Sequence, residues 1–224
     1  MIKTVHGVVT AVMREREDIQ EIEVEILGRT EKAINYPVFT GKVAVGQRVT
    51  LNTTAVRLGL GTGGYHFVMH VDSRTEERDI GKARHIMKLR YTPLQIATGS
   101  CEEQNSPFHQ EFKRLRSLEG MTTLVGELHS MLPIGVTYIK QINPAMRIAY
   151  IMTDKASLPL SFSRHVLNLK EMGWLAGTVT IGHSFGGDYE KAVLAVGGPM
   201  PPSVPAKDNR GKPVLLRTVS GPDL

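Results

Sequence analysis

The segment that most constrains the fold is Thr178 to Asp188, TVTIGHSFGGD. Thr178-Val179-Thr180-Ile181 is a short run rich in β-branched residues. Gly182 to Gly187 forms a glycine-rich turn, and Asp188 is expected to open a helix through Leu194. Strand, tight turn and helix place polar groups at the carboxyl edge of a parallel sheet, where open α/β folds bind their ligands. The candidate active or binding surface is therefore expected at that edge.

Residues upstream repeat the alternation. Thr122 to Val125 and Arg147 to Met152 read as strands. Ile134, Tyr138 and Ile142 recur at helical spacing between them, and Phe162, Val166 and Leu169 do so after the second. Strand–helix–strand links of this length imply parallel strands with right-handed crossovers. Ser106 as N-cap and Pro107 as first helical residue begin a further helix, with Gly120 as its stop.

The first 72 residues have a different period. Val5–Met13, Ile19–Leu27, Ala33–Phe39, Arg48–Asn52 and Tyr65–Val71 read as short strands, and Ile22-Glu23-Val24-Glu25-Ile26 alternates strictly. The expected fold class is mixed α/β. A small N-terminal β-barrel or sandwich (1–75) precedes a three-layer, Rossmann-like parallel-sheet unit (76–196). A Pro/Gly-rich tail, expected to be irregular, spans 197–224. The charged stretch from Asp72 to Arg84 is the expected boundary, and His85 to Tyr91 an edge strand with a solvated basic face.

Gly59-Leu60-Gly61-Thr62-Gly63-Gly64 satisfies GxGxxG, but a strand-like run follows it. A hairpin or bulge is the preferred reading over a dinucleotide loop. Gly182-His183-Ser184-Phe185-Gly186 matches the G-x-S-x-G nucleophile elbow. No histidine follows His183, however, so the usual Ser–acid–His order fails.

The three strand ends gather the chemistry. His129, Asp154, His183 and Asp188 are the candidate catalytic residues, for proton transfer or metal binding. Gly186, Gly187 and Ser130 are the candidate anion contacts, helped by the expected helix N-terminus. A divalent metal is the candidate cofactor, with His129, Asp154 and His183 as its ligands.

The expected function is a hydrolase or transferase acting on a small anionic substrate. The alternative is a non-catalytic ligand-binding or protein-interaction module. A single cysteine, Cys101, excludes an internal disulfide and fits a reducing cytoplasm. A formal charge of +5, partly from the tail, is too small and scattered for nucleic acid. No apolar run approaches the roughly 18 residues of a membrane span, and the start lacks the apolar core of a signal peptide. A small-molecule ligand and homo-oligomerisation are the expected associations; nucleic acid and membrane are not.

Taken together, LNTTAV from Leu51, GLGTGGYHF from Gly59, HIMKLRYTPLQ from His85, LHSMLP from Leu128, YIMTD from Tyr150, SLPLSFS from Ser157 and GHSFGGD from Gly182 carry a resemblance. The chain resembles a bacterial family of unknown function over about residues 1–192. That resemblance implies a cytoplasmic protein with a β-rich front and an α/β body, and no activity. It also implies that members are longer, so that this chain lacks their C-terminal part, and that alanine is accepted at the position of Ser184.

Overall fold

The computed structural model describes residues 1–72, 86–101, 103–114, 122–153, 158–191 and 214–218. The chain divides into two compact units, Met1–Asp79 and Ile80–Leu224.

The first unit is a closed barrel of five strands: β1 (Thr4–Glu15), β2 (Gln20–Ile26), β3 (Arg29–Asn35), β4 (Arg48–Asn52) and β5 (His66–Val71). The short helix α1 (Pro37–Thr40) separates β3 from β4, and α2 (Thr54–Arg57) separates β4 from β5. The order around the barrel is β1-β2-β3-β5-β4. Every pair is antiparallel except β3 with β5. This is the topology of the five-stranded Greek-key barrels of OB type. Bulges in β1 after Val9 and Val12 let one twelve-residue strand bend to pair with both β2 and β4.

Alternation decides what fills the barrel. Ile22, Val24 and Ile26 point inward with Val9, Ala33, Val49, Leu51 and Val71, while Glu21, Glu23 and Glu25 stay on the outer face. The expected strand extension to Phe39 is replaced by α1, because Pro37 cannot donate to a ladder and instead starts a helical turn. GLGTGG forms the exposed link into β5, and no helix follows it, which excludes the dinucleotide loop.

The β2–β3 hairpin turns through Leu27 and Gly28, both at positive φ (51° and 77°). A two-residue turn of this kind favours Asn-Gly, and the left-handed region costs an ordinary side chain about 1–2 kcal/mol. Leu27 is also exposed, so it gains nothing from burial. Leu27→Asn is therefore expected to raise barrel stability by about 0.5–1 kcal/mol, read from the urea midpoint at unchanged slope.

The second unit opens with a hairpin, β6 (Ile86–Lys88) and β7 (Ile96–Thr98), then α3 (His109–Arg114). The helix begins two residues later than expected: Ser106 Oγ accepts the Phe108 N–H at 3.2 Å in the turn that precedes it, and Gly120, its expected stop, lies outside the described residues. Then come β8 (Thr122–Gly126), α4 (Leu132–Ile142), β9 (Ile148–Met152), α5 (Arg164–Glu171), β10 (Gly177–Ile181), β11 (Tyr189–Lys191) and β12 (Val214–Thr218). The sheet order is β11-β10-β9-β12-β8, with every neighbouring pair parallel.

Four expectations change here. The segment after the glycine turn is strand β11, not a helix: Tyr189-Glu190-Lys191 pairs in register with Val179-Thr180-Ile181. The tail is not wholly irregular, because Val214-Leu215-Leu216-Arg217-Thr218 is apolar enough to enter the sheet between β9 and β8. The strands β8 and β9 are consequently not neighbours. The fold is mixed α/β, but α4 and α5 do not take opposite faces of the sheet as a Rossmann-like arrangement would have them. The chain steps in one direction from β8 through β9 to β10, so right-handed crossovers put α4 and α5 on the same face. Leu132 and Val136 of α4 and Val166 and Leu169 of α5 share one core with Ile148, Tyr150 and Met152.

Candidate functional site

The carboxyl ends of β8, β9 and β10 carry the groups singled out from the sequence. His129 begins a 3-10 turn (His129–Met131) immediately after β8 and is half-buried. Its Nδ1 lies 2.8 Å from the Tyr150 hydroxyl and its Nε2 lies 2.6 Å from Ser163 Oγ. Ser163 is the N-cap of α5 and also accepts the Val166 N–H at 3.1 Å. One imidazole thus ties together the turn after β8, the middle of β9 and the start of α5. Burial, reinforced by the nearby His165, pushes the His129 pKa down to about 4. The ring is neutral at pH 7, so one nitrogen donates and the other accepts.

This fixes a pH dependence. The folded protein refuses a proton that the unfolded chain takes near the ordinary histidine value of 6.5. The stability tied to His129 is therefore fully present above that value and is lost as pH falls through about 4. With the ring partly open to solvent, the loss is about 1–2 kcal/mol. His129→Gln, neutral throughout, is expected to flatten that part of the curve in urea titrations compared with wild type.

Ser130 is exposed in the same turn. Asp154 lies outside the described residues. His183 is exposed, and its Nδ1 accepts the Leu89 N–H at 3.1 Å. Asp188 is an organiser of β10: its carboxylate accepts the Thr178 N–H and hydroxyl, both at 3.0 Å, and pairs with Lys170. Its own N–H donates back to Thr178 Oγ1 at 3.0 Å. The partners of His129 are Tyr150, Ser163 and the ring of His165, those of Asp188 are Thr178 and Lys170, and among the described residues no group of three His, Cys, Asp or Glu side chains is placed to hold a metal.

The glycine turn is packed rather than open. A Cβ on Gly187 would sit 2.8 Å from the Thr180 nitrogen, and one on Gly186, at φ +88°, would sit 2.9 Å from Ser161 Oγ. Their N–H groups are occupied as well: Gly186 donates to Glu190 Oε1 and Gly187 to Thr180 Oγ1, each at 3.1 Å. With β11 following, the helix N-terminus expected to receive an anion is missing. Ser184 is buried, and its hydroxyl has no partner among the described residues, which leaves the elbow motif without a base.

Sequence reasoning missed the group beneath this turn. Lys88 of β6 is fully buried, and its ammonium donates to the Ser184 carbonyl, to the Thr180 carbonyl at 3.4 Å and to the Glu190 carboxylate. Glu190 Oε2 also accepts the Thr180 hydroxyl at 2.7 Å. Thr178 with Asp188 and Thr180 with Glu190 repeat one Thr–acid pairing ten residues apart. The ten-residue spacing is visible in the chain, and Ser163 stands where a helix cap would, but neither pattern by itself names the partner that the fold supplies.

No match was found among curated proteins or among solved structures. The model of one family, described as "Protein of unknown function (DUF3866)", matches residues 32–198, from within β3 of the barrel to beyond β11. The shared sequence leaves out β1 and β2 but runs from within β3 through β4 and β5 and on through the glycine turn with its Lys88–Glu190 support, and this chain belongs to that family.

Proposed function

We propose that this chain is a cytoplasmic, non-catalytic module that acts by binding another protein surface. The observation that carries the reading is how the strand-end groups spend their polar atoms. Both His129 nitrogens, the Asp188 carboxylate and the Gly186 and Gly187 N–H groups are engaged within the fold. A catalytic or anion-binding set keeps donors and acceptors aimed at an absent reactant. Here they are aimed at neighbouring elements. Nucleic acid is disfavoured as a partner. Barrels of this type bind oligonucleotides across strands 2 and 3; here β2 turns Glu21, Glu23 and Glu25 to its outer face, where they repel phosphate.

A second reading, a hydrolase or transferase on a small anionic substrate, is favoured by the 2.6 Å approach of Ser163 Oγ to a neutral imidazole. Thermal unfolding separates the two. Inorganic phosphate, Mg2+ and Zn2+, each added to millimolar levels, are expected to leave the midpoint unchanged. A saturable rise that disappears in His129→Gln or Asp188→Asn overturns the non-catalytic reading, because only a ligand of the native state raises the midpoint in this way.

A further inference from the structure

Helix α4 is apolar on two opposite faces. Leu132 and Val136 are buried in the core with Ile139 packed beside them. On the other side Ile134, Tyr138 and Ile142 are 72%, 64% and 67% exposed, and Met131, at the helix start, is 46% exposed. The Ile134–Tyr138–Ile142 stripe whose spacing marks the helix in the sequence is the one the structure turns outward. A helix apolar on all sides is normally covered on all sides.

We infer that the occupant of this face is a second copy of the chain, packed with its own α4 antiparallel across a two-fold axis at Tyr138. The inference rests on the interaction-module reading and names its partner. The stripe is a palindrome. Ile134 and Ile142 lie four residues to either side of Tyr138, so an antiparallel partner sets Ile134 against Ile142 of the second copy and Tyr138 against Tyr138. An isologous interface requires that self-complementarity.

Charge agrees. The chain carries +5, which opposes self-association elsewhere on its surface, but α4 holds one charged residue, Lys140. Its ammonium is drawn to the helix end, donating to the Pro144 carbonyl at 3.1 Å and the Met146 carbonyl at 2.7 Å. Area agrees too. With Leu128, 59% exposed, alongside, side chains of this size leave on the order of 500 Å² per copy. Pairing them buries about 1,000 Å², the lower limit for a specific and reversible interface.

The test uses the full chain. Light scattering over a dilution series from roughly 100 μM to 1 μM is expected to show the dimer mass giving way to monomer. Tyr138→Glu is expected to be monomeric throughout with an unchanged circular dichroism spectrum. In a Cys101→Ser background, Tyr138→Cys is expected to cross-link to itself on oxidation. Ile134→Cys and Ile142→Cys are expected to cross-link only when mixed. Alone, each lies about 12 Å along the axis from its own copy, beyond the roughly 7 Å that a disulfide spans.

A monomeric wild type, or self-cross-linking of Ile134→Cys as readily as Tyr138→Cys, overturns the inference. So does monomeric wild type that binds lipid vesicles through Tyr138. None of these outcomes bears on the phosphate and metal titrations, so failure of the pairing and failure of the non-catalytic reading are told apart.

Discussion

Lys88→Met is expected to destabilise the second unit by about 3–5 kcal/mol, the usual cost of removing one member of a buried ion pair. The ammonium is fully enclosed and its donors meet two backbone carbonyls and one carboxylate, so nothing on it is left unsatisfied. Methionine fills similar space but returns none of those bonds. The Ser184 carbonyl loses its donor, and Glu190 keeps a largely buried charge supported only by the Thr180 hydroxyl and the Gly186 N–H. The glycine turn and β11 should loosen before the rest of the sheet, because β11 is a three-residue strand that pairs in register with β10 and takes only one further backbone bond, from the Cys101 N–H to the Glu190 carbonyl at 3.1 Å, among the described residues. Hydrogen exchange is expected to accelerate at Gly186 and Gly187 more than at Tyr150. Lys88→Met combined with Glu190→Leu should recover part of the loss, since the second change removes the stranded charge. A double variant no more stable than Lys88→Met alone would show that packing, not charge, holds the turn.

The same residues mark what could be read from the sequence and what could not. The barrel was legible because its strands alternate cleanly and its charged side chains obey the inside–outside rule, as Glu21, Glu23 and Glu25 do. The HIMKLRY segment also alternates, but there the rule misleads. Lys88 shares a face with Ile86 and is buried, because Glu190, about a hundred residues away in the chain, neutralises it. No local pattern reports a partner at that distance. The stretch after Asp188 reads as a helix from its local composition, yet Tyr189–Lys191 is a strand. Its conformation is decided by Thr178 and Thr180, which bind Asp188 and Glu190 and draw the chain alongside β10. Periodicity also recognised α4 but not its orientation. Two apolar stripes run along that helix, and tertiary packing chose Leu132 and Val136 over Ile134 and Tyr138. His129 was chosen from its place after a strand. Its partners Tyr150 and Ser163 were not, because a tyrosine within an apolar strand and a serine before a helix have ordinary structural explanations.

Asn35→Leu is expected to destabilise the barrel by about 3–4 kcal/mol, although leucine is the more apolar residue and the site is fully buried. Gln20 and Asn35 face each other across β2 and β3 at the end of the barrel and are both excluded from water. Asn35 Nδ2 donates to Gln20 Oε1 at 2.9 Å and to the Gly41 carbonyl at 2.7 Å, while its Oδ1 accepts the Thr40 hydroxyl. Gln20 in turn accepts the Val43 N–H at 2.8 Å and donates to the Val43 carbonyl at 3.1 Å and to Glu15 Oε2 at 2.9 Å. Two amides thus fasten the α1 segment, whose Val43 packs in the barrel core. Leucine contributes apolar burial worth about 1.5–3 kcal/mol. It cancels both amide donors, however, so the Gly41 carbonyl keeps only the longer 3.3 Å bond from the Thr40 hydroxyl, and that hydroxyl loses its shortest acceptor. Each such loss in a buried network costs about 1–3 kcal/mol, and the branched side chain does not match the planar amide it replaces. Urea unfolding of the variant measures the total, and hydrogen exchange locates it. Protection at Val43 is expected to fall by more than protection at Leu51, whose ladder with β1 the change does not touch. Equal losses at both positions would mean that the two amides stabilise the barrel as a whole and do not specifically anchor the segment that closes its end.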